Sequence, residues 1–280
     1  MIEIFYLPGL NTYNDDRVHI GPLKFFRMHE VLAEHLGRHR IRLIPIYSDK
    51  KNLKDKVEHL VKEINQHQKS RVIVLGHSTG GVIARSFLTN PEIKGKLSGI
   101  ITFGCPHRGS HLADLAGQLN KNKSSLIKIL KLFGYDVTKN INYILDLSSE
   151  NLAKYFRDEP KLIIPAYSFI CTKATNNLPW IFRLLYSYSG QKIDFATDGL
   201  VSEKSQHWGT SIGPFNLDHL AQIGFFKHLV NPLHKRQTLL EFDRLIKAIA
   251  DIVKEINASN LRSDSFTDVS QQPGSGRVGK

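Results

Sequence analysis

The segment from Arg71 to Leu88 constrains the fold most strongly, because its pattern predicts a strand, a sharp turn and a helix in immediate succession. Residues 71–75 form a β-branched apolar run of strand length, and residues 81–88 resume with helical spacing. The turn between them reads Gly76-His77-Ser78-Thr79-Gly80, with a glycine two residues to either side of the serine. These glycines let the strand and the helix pass without a clashing Cβ. The pattern therefore predicts a nucleophile elbow that projects the Ser78 Oγ.

Two backbone N–H groups are candidates to stabilise an oxyanion beside this serine. The N–H of Thr79 lies at the predicted helix start and points to where an oxyanion would form. The first predicted strand runs into Pro8-Gly9-Leu10-Asn11, and a turn of this kind can aim a second N–H, that of Leu10, inward. The alternatives are a glycine-rich strand-to-helix turn without catalytic function and a plain surface turn at Pro8-Gly9.

Alternating strand and helix patterns extend over most of the chain. Further strands are predicted near residues 2–7, 41–46, 99–104, 163–172 and 206–212, and further helices near residues 23–36, 53–64 and 232–256. This alternation predicts an α/β protein with a mainly parallel sheet and helices on both faces. In such sheets functional sites form at the carboxyl ends of strands, where Ser78, Leu10 and His107 would lie.

The predicted domain spans residues 1–257 and includes a helical insertion at about residues 110–160. The centre of this insertion, Leu126–Phe133, is a short amphipathic segment with lysines around it. It is either a surface helix packed on the core or a mobile cap that touches a lipid interface. Residues 258–280 are polar, contain Gly, Ser and Pro, and are predicted to form a disordered tail.

A serine hydroxyl needs a base within hydrogen-bond reach and an acid that orients this base. In a fold with a strand-turn-helix elbow the expected chain order is Ser, then Asp or Glu, then His, and Asp198 and His219 fit that order. The rival acids are Asp194 and Asp218, but Asp198 is followed by a glycine and a turn. The competing histidines are His77, His107, His207, His228 and His234.

Four motifs carry a family resemblance. They are GHSTGG at 76–81, FGCPHRGS at 103–110, TDGLVS at 197–202 and LDHLAQIG at 217–224. In that order they resemble the α/β-hydrolase triacylglycerol lipases of bacteria and their esterase relatives.

The resemblance implies an α/β-hydrolase fold with Ser78 as nucleophile, Asp198 as acid and His219 as base. It also implies that Leu10 and Thr79 provide the oxyanion N–H groups. The implied activity is that of a serine ester hydrolase that cleaves lipid-like acyl esters through an acyl-enzyme. Two alternatives stay open, an acyltransferase with the same triad and a catalytically silent hydrolase-fold binding protein.

Three positions differ from the family pattern. Pro8 stands where a histidine is common, and Cys105 where a threonine is usual, and neither change removes a catalytic group. Many relatives bind calcium through a carboxylate two residues after the catalytic histidine, where this chain has Ala221. We therefore expect neither a metal nor a cofactor, with Asp218 as the one nearby carboxylate that can substitute.

The net charge of +12 indicates anionic partners, such as an anionic membrane surface. Nucleic acid is not expected, because zinc-finger spacing, a P-loop and RNP-like motifs are missing and the basic residues are scattered. No apolar run is long enough to cross a bilayer, and the N-terminus starts in a strand pattern without a basic leader. The expected location is therefore cytoplasmic, with peripheral membrane association. Cys105 and Cys171 are expected to be buried free thiols.

Overall fold

The computed structural model describes residues 1–9, 17–20, 23–111, 113–114, 137–174, 177–179, 183, 196–226 and 232–269. Leu10 and the segment Leu126–Phe133, to which the sequence analysis gave functions, lie outside these residues, as do Asp194 and His228.

Eight strands are described in this part of the chain. They are β1 (Ile2–Leu7), β2 (Arg17–Ile20), β3 (Leu23–Arg27), β4 (Ile41–Pro45), β5 (Val72–His77), β6 (Leu97–Phe103), β7 (Ala166–Cys171) and β8 (Thr210–Phe215). Six of them form one sheet in the order β4-β1-β5-β6-β7-β8, and every neighbouring pair is parallel. The strands β2 and β3 form a separate antiparallel pair.

Seven α-helices are described. They are α1 (Met28–Arg38), α2 (Leu53–Gln66), α3 (Thr79–Ser86), α4 (Val137–Asp146), α5 (Ser149–Tyr155), α6 (Glu203–Gln206) and α7 (Pro232–Val269). Short 3₁₀ turns lie at Lys94–Lys96 and Ala221–Ile223. In the described helices, no segment is long and apolar enough to cross a membrane.

The core consists of two apolar layers, one on each face of the sheet. Alternate residues of a strand point to opposite faces, so Phe5 and Leu7 of β1 enter one layer while Ile4 and Tyr6 enter the other. The first layer takes residues from α2, α3 and α4, and the second takes residues from α1 and α7. The prediction of a mainly parallel sheet with helices on both faces is confirmed.

Two element boundaries differ from the sequence prediction. The helix expected over residues 23–36 begins only at Met28, because residues 23–27 pair as β3 with β2. Apolar residues at positions 23, 25 and 26 fit a short strand as well as a helix, so spacing alone did not separate the two. The closing helix continues to Val269, so residues 258–269 are helical where a disordered tail was predicted. Those residues contain neither proline nor glycine, and a polar composition does not end a helix.

The connection from β6 to β7 contains α4 and α5, in agreement with the helical character predicted for residues 110–160. The Ser148 Oγ caps α5 by accepting from the N–H of Asn151, and the Asp114 carboxylate accepts from the N–H and the hydroxyl of Ser149. These contacts connect α5 to the residues that follow β6.

Candidate active site

The predicted elbow forms where β5 ends and α3 begins. Ser78 has a φ of 54° and a ψ of −129°, a left-handed conformation that a residue with a Cβ adopts only under strain. The surrounding hydrogen bonds hold it there. The N–H of Ser78 donates to the Phe103 carbonyl at 3.1 Å, and the Ser78 carbonyl accepts from the N–H of Gly81 at 3.1 Å.

Two glycines make this turn sterically possible. A Cβ on Gly76 would lie 2.5 Å from the Cα of Gly81, and a Cβ on Gly80 would lie 2.0 Å from the Leu7 carbonyl oxygen. Both distances are below any real Cβ contact. The start of α3 therefore packs directly on the end of β1.

Of the two candidate oxyanion donors, the structure describes Thr79 but not Leu10. Thr79 is buried at the first position of α3, so its N–H belongs to the free N-terminal end of that helix. The turn after β1 lies against the serine, since a Cβ on Gly9 would be 2.9 Å from the Ser78 Cβ and 3.3 Å from its Oγ. The next residue, Leu10, is outside the described residues, so its predicted function stays a prediction.

Asp198 and His219, which are distant in sequence, lie together in the structure. The Nδ1 of His219 is 2.7 Å from the Oδ2 of Asp198, and the backbone N–H of His219 donates to the Asp198 carbonyl at 2.8 Å. The Asp198 side chain is 0 % exposed, and its Oδ1 accepts from the N–H groups of Leu200 and Val201 at 2.9 and 2.8 Å. Charge-assisted hydrogen bonds of this kind compensate a buried carboxylate.

A fourth donor to Asp198 was missed by sequence reasoning. The Nε2 of Gln222, which is 0 % exposed, donates to the Asp198 Oδ2 at 2.8 Å. The sequence shows a glutamine at the third position after His219. This residue alone does not indicate a contact with Asp198, because the contact depends on the turn that presents the side chain.

That turn is built by Asp218, one of the rival acids. Its Oδ1 accepts from the N–H groups of Leu220 and Ala221 at 3.1 and 3.0 Å, so the carboxylate stabilises the turn after His219. Ala221 is buried, and in the described part of the chain no three His, Cys, Asp or Glu side chains converge as metal ligands do.

The imidazole of His219 reaches the elbow through His77. Their ring centroids are 4.8 Å apart, and His77 also contacts Phe103 at 4.7 Å. Burial lowers the pKa of His77 well below its usual value, and His219 nearby lowers it further. Burial therefore keeps His77 neutral and makes it a weaker base than an exposed histidine.

Three other histidines that competed for the base in the sequence analysis are described, and their surroundings differ from those of His219. The Nε2 of His107 is 2.9 Å from the hydroxyl of Thr102, and its ring stacks on Trp208 at 5.0 Å. The Nδ1 of His207 is 2.8 Å from the Ser211 hydroxyl, and His234 lies exposed in the first turn of α7. The structure thus pairs Asp198 with His219, whereas His107 and His207 bond to hydroxyl groups elsewhere.

A second polar cluster lies beside this site, around Arg85 of α3. The guanidinium of Arg85 forms a bidentate pair with Glu159 at 2.7 and 2.6 Å, and the Trp208 Nε1 donates to the same carboxylate at 3.2 Å. Arg85 also donates to the His107 carbonyl at 2.8 Å and stacks on Phe156 at 3.9 Å. Arg85, His107, Phe156 and Trp208 line a cavity of about 430 Å³.

Comparisons with known sequences find one family profile and a yeast lipase. A family profile described as a PGAP1-like alpha/beta domain matches residues 46–129. Triacylglycerol lipase 2 of Saccharomyces cerevisiae is 29 % identical over 173 residues, which cover 59 % of this chain and 50 % of the yeast protein. This chain thus spans about half the length of that relative.

Solved structures resemble almost the whole chain. The mature lipase BlEst2 of Bacillus licheniformis matches with a TM-score of 0.57 at 19 % identity, covering 85 % of this chain and 91 % of the lipase. A metagenomic carboxyl esterase matches with a TM-score of 0.63 at 18 % identity, covering 91 % of this chain and 76 % of the esterase. The chain has the α/β-hydrolase fold. In this fold the elbow, Asp198 and His219 all lie near the carboxyl ends of sheet strands, where such sheets form their sites.

Proposed function

We propose that the protein is a serine ester hydrolase that cleaves acyl esters of lipid-like substrates. The observation that carries this proposal is the buried Asp198–His219 pair, whose imidazole contacts His77, the residue before the strained Ser78 at the end of β5. The similarity to the yeast triacylglycerol lipase and the fold shared with bacterial lipases and esterases support the same reaction class.

The reaction would proceed in two halves. The Ser78 Oγ attacks the ester carbonyl while the Nε2 of His219 takes its proton, and Asp198 keeps the proton on Nδ1 and stabilises the imidazolium. The N–H groups of Thr79 and Leu10 would bind the oxyanion, and His219 returns the proton to the leaving alcohol. Water then attacks the acyl-enzyme by the same route. No step needs a metal or a cofactor.

The decisive test replaces Ser78 by alanine and measures hydrolysis of a soluble short-chain ester. We expect a loss of about 10⁴-fold or more in kcat, with an unchanged melting temperature, because only the attacking oxygen is removed. Ser86→Ala is the matched control, since the Ser86 hydroxyl is buried in the same helix but bonds only the Val82 carbonyl at 2.9 Å. Full turnover by folded Ser78→Ala would end the proposal.

Labelling with a fluorophosphonate, together with added alcohols, separates the ester hydrolase from the acyltransferase and from the silent binding protein. An activated Ser78 reacts covalently with this probe, whereas the Ser78→Ala variant does not. If added alcohols divert the acyl group from water, the enzyme is an acyltransferase with the same triad. If the wild type neither labels nor hydrolyses, the protein is a binding protein on a hydrolase fold.

Contact with an anionic lipid surface is part of the proposal, and the beginning of α7 supports it. Leu233 and Leu240 are 62 % and 63 % exposed there, beside exposed Lys235 and Arg236. Apolar side chains flanked by cations are what binds an anionic bilayer interface. This end of α7 lies close to the site, because its Thr238 accepts from Lys173, whose Nζ is 3.8 Å from Asp218.

Leu240→Asp tests the lipid contact. Placing a charge where a leucine would enter the interface should lower hydrolysis on anionic vesicles about tenfold and leave a soluble ester unaffected. Leu261→Asp is the matched control, since Leu261 is 64 % exposed near the other end of the same helix. Equal activity of both variants on vesicles would remove this surface from the proposal.

A further inference from the structure

We propose that Gln222 is a positioning residue. It holds the Asp198 carboxylate in the orientation in which the carboxylate accepts a hydrogen bond from the Nδ1–H group of His219. This inference rests on the proposed triad. Gln222 touches neither the serine nor the reacting atoms, and it acts through Asp198 alone.

One turn presents both groups to the same carboxylate oxygen. His219 and Gln222 are three residues apart on the turn that Asp218 stabilises, and the N–H of Gln222 donates to the Asp218 carbonyl at 3.1 Å. Their side chains then reach the Oδ2 of Asp198 at 2.7 and 2.8 Å. The position of the imidazole and the position of the amide are thus fixed by the same backbone.

Hydrogen-bond chemistry fixes the direction of the Gln222 amide. A carboxylate only accepts, so the amide must turn its NH₂ group toward Asp198 and its Oε1 away. The backbone of Gly104 closes the opposite side, since a Cβ there would lie 2.1 Å from Oε1 and 3.1 Å from the Asp198 Oδ2. Gly104 has a φ of +58°, which suits glycine on conformational grounds as well.

His77 complements this arrangement. Among the described residues, the Gln222 Oε1 and both ring nitrogens of His77 are buried without a partner at hydrogen-bond geometry. Gln222 nevertheless lies near enough to raise the pKa of His77, against the larger opposing effect of burial. A neutral imidazole has one N–H to donate, and a small ring rotation toward Oε1 would satisfy both groups. Such a bond would keep the amide from flipping.

The four donors around Asp198 decide how its charge is shared. With the amide present, Oδ2 divides its charge between two N–H groups. Without it, the charge acts on the imidazole alone and stabilises the protonated ring more strongly. A more stable protonated ring leaves less of the free base, which is the form that accepts the Ser78 proton. A carboxylate less firmly oriented would also slow proton transfer.

The experiment compares Gln222→Met, Gln222→Glu and wild type. We expect kcat on a soluble ester to fall about tenfold in Gln222→Met with little change in KM, because substrate contacts are not altered. The acid limb of the kcat/KM profile should move to higher pH by about half a unit, and further in Gln222→Glu, which adds a second carboxylate near the imidazole. An NMR titration of the His219 ring should place wild type, Gln222→Met and Gln222→Glu in the same order of increasing midpoint pH. The signal that is lost in His219→Asn identifies the His219 ring.

Gln206→Met is the matched control. Gln206 is also buried, but its amide bonds backbone groups only, those of Cys171 at 2.8 Å on both sides and the Val201 carbonyl at 3.3 Å, and not the triad side chains. Gln206→Met should lower the melting temperature and leave the acid limb of the kcat/KM profile at its wild-type pH. If the Gln222 variants likewise lose stability but keep the wild-type limb and the wild-type His219 titration, the inference is overturned.

The two proposals fail in different ways. A wild type without turnover and without fluorophosphonate labelling would end the proposed function. The NMR titration would still decide whether Gln222 governs the protonation of His219, since it needs no substrate.

Discussion

Two buried clusters share the same pair of loops but differ in what their carboxylate faces. The loop after β6 contributes Gly104 to the Asp198 cluster and His107 to the Arg85 cluster. The segment from 198 to 208 contributes Asp198 to the first and Trp208 to the second. Each cluster combines a carboxylate, a histidine and an aromatic contact. Only the first contains a carboxylate–imidazole pair.

The two clusters differ in the side chain that pairs with the carboxylate. Asp198 faces an imidazole, a group that can accept and release a proton, so the pair can take part in proton transfer. Glu159 faces the guanidinium of Arg85, which keeps its charge at every physiological pH, so that pair only stabilises. Two sites of similar polarity therefore support chemistry in one case and fixed structure in the other.

The largest effect expected from this comparison is on activity. Asp198→Asn should lower kcat on a soluble ester by about 10⁴-fold, because the amide can hold the wrong tautomer of His219. Asp114→Asn is the control, since Asp114 bonds only the N-terminal residue of α5. A loss of less than tenfold in Asp198→Asn would contradict the function assigned to this pair.

The next effect concerns stability. Glu159→Gln leaves Arg85 without its bidentate partner, and we expect a loss of about 2 kcal/mol in the free energy of unfolding, since the pair is only partly exposed. Turnover of a soluble ester should change less than about threefold, as the triad is not touched. Chemical denaturation and the ester assay measure the two quantities.

The control for that variant is an exposed pair. Glu150→Gln breaks the Glu150–Lys154 pair, whose side chains are 77 % and 58 % exposed, and should leave the free energy of unfolding almost unchanged, because solvent screens an exposed pair. Equal losses in Glu159→Gln and Glu150→Gln would show that the Arg85 cluster does not stabilise the fold as argued.

A smaller effect distinguishes strain at the elbow from ordinary helix structure. Both Ser78→Ala and Ser78→Gly remove the nucleophile, but glycine adopts the conformation of Ser78 freely and should be about 1 kcal/mol more stable than alanine. At Ser86, the last residue of α3, the order should reverse, with glycine less stable by about 0.5 kcal/mol. Urea denaturation of the four variants tests this sign change, and the same order at both positions would refute it.

The smallest effect is a pH dependence. Burial lowers the pKa of His107 well below 6.5, and the nearby Arg85 and Arg108 lower it further. The unfolded chain then binds a proton below pH 6.5 that the folded chain does not, so stability falls as the pH falls through that range. His107→Phe should reduce this slope, by at most about 1.4 kcal/mol per pH unit. Melting temperatures between pH 7 and 5 measure it, and an unchanged slope would contradict the assignment.

Local features made the fold predictable to a large extent. The elbow and its neighbouring strands are encoded within a few residues, as apolar runs meeting glycines, and they form where expected. The pairing of β3 with β2 and the length of α7 depend on partners or on solvated helix turns that spacing does not reveal. Chain order also pointed to Asp198 and His219, whose catalytic functions stay predictions.

Gln222 shows what the sequence could not reveal about the site. Its contact with Asp198 needs the Asp218 turn, the loop at Leu200 and the Gly104 backbone at once. No periodicity relates these segments, because a hydrogen bond across three loops depends on tertiary structure. Contacts of this kind appear only when side-chain positions are known.

The strand β8 also determines how this sheet ends. It forms the edge of the described sheet, and an edge of free backbone groups is a template for a strand of another molecule. Pro214 has no N–H to offer, and its carbonyl already accepts from Arg244 of α7 at 2.9 Å. The next donor, the N–H of Asn216, is bonded by Glu241 at 3.1 Å. Sheet extension is therefore disfavoured at Pro214 and Asn216, beside the segment that leads to His219.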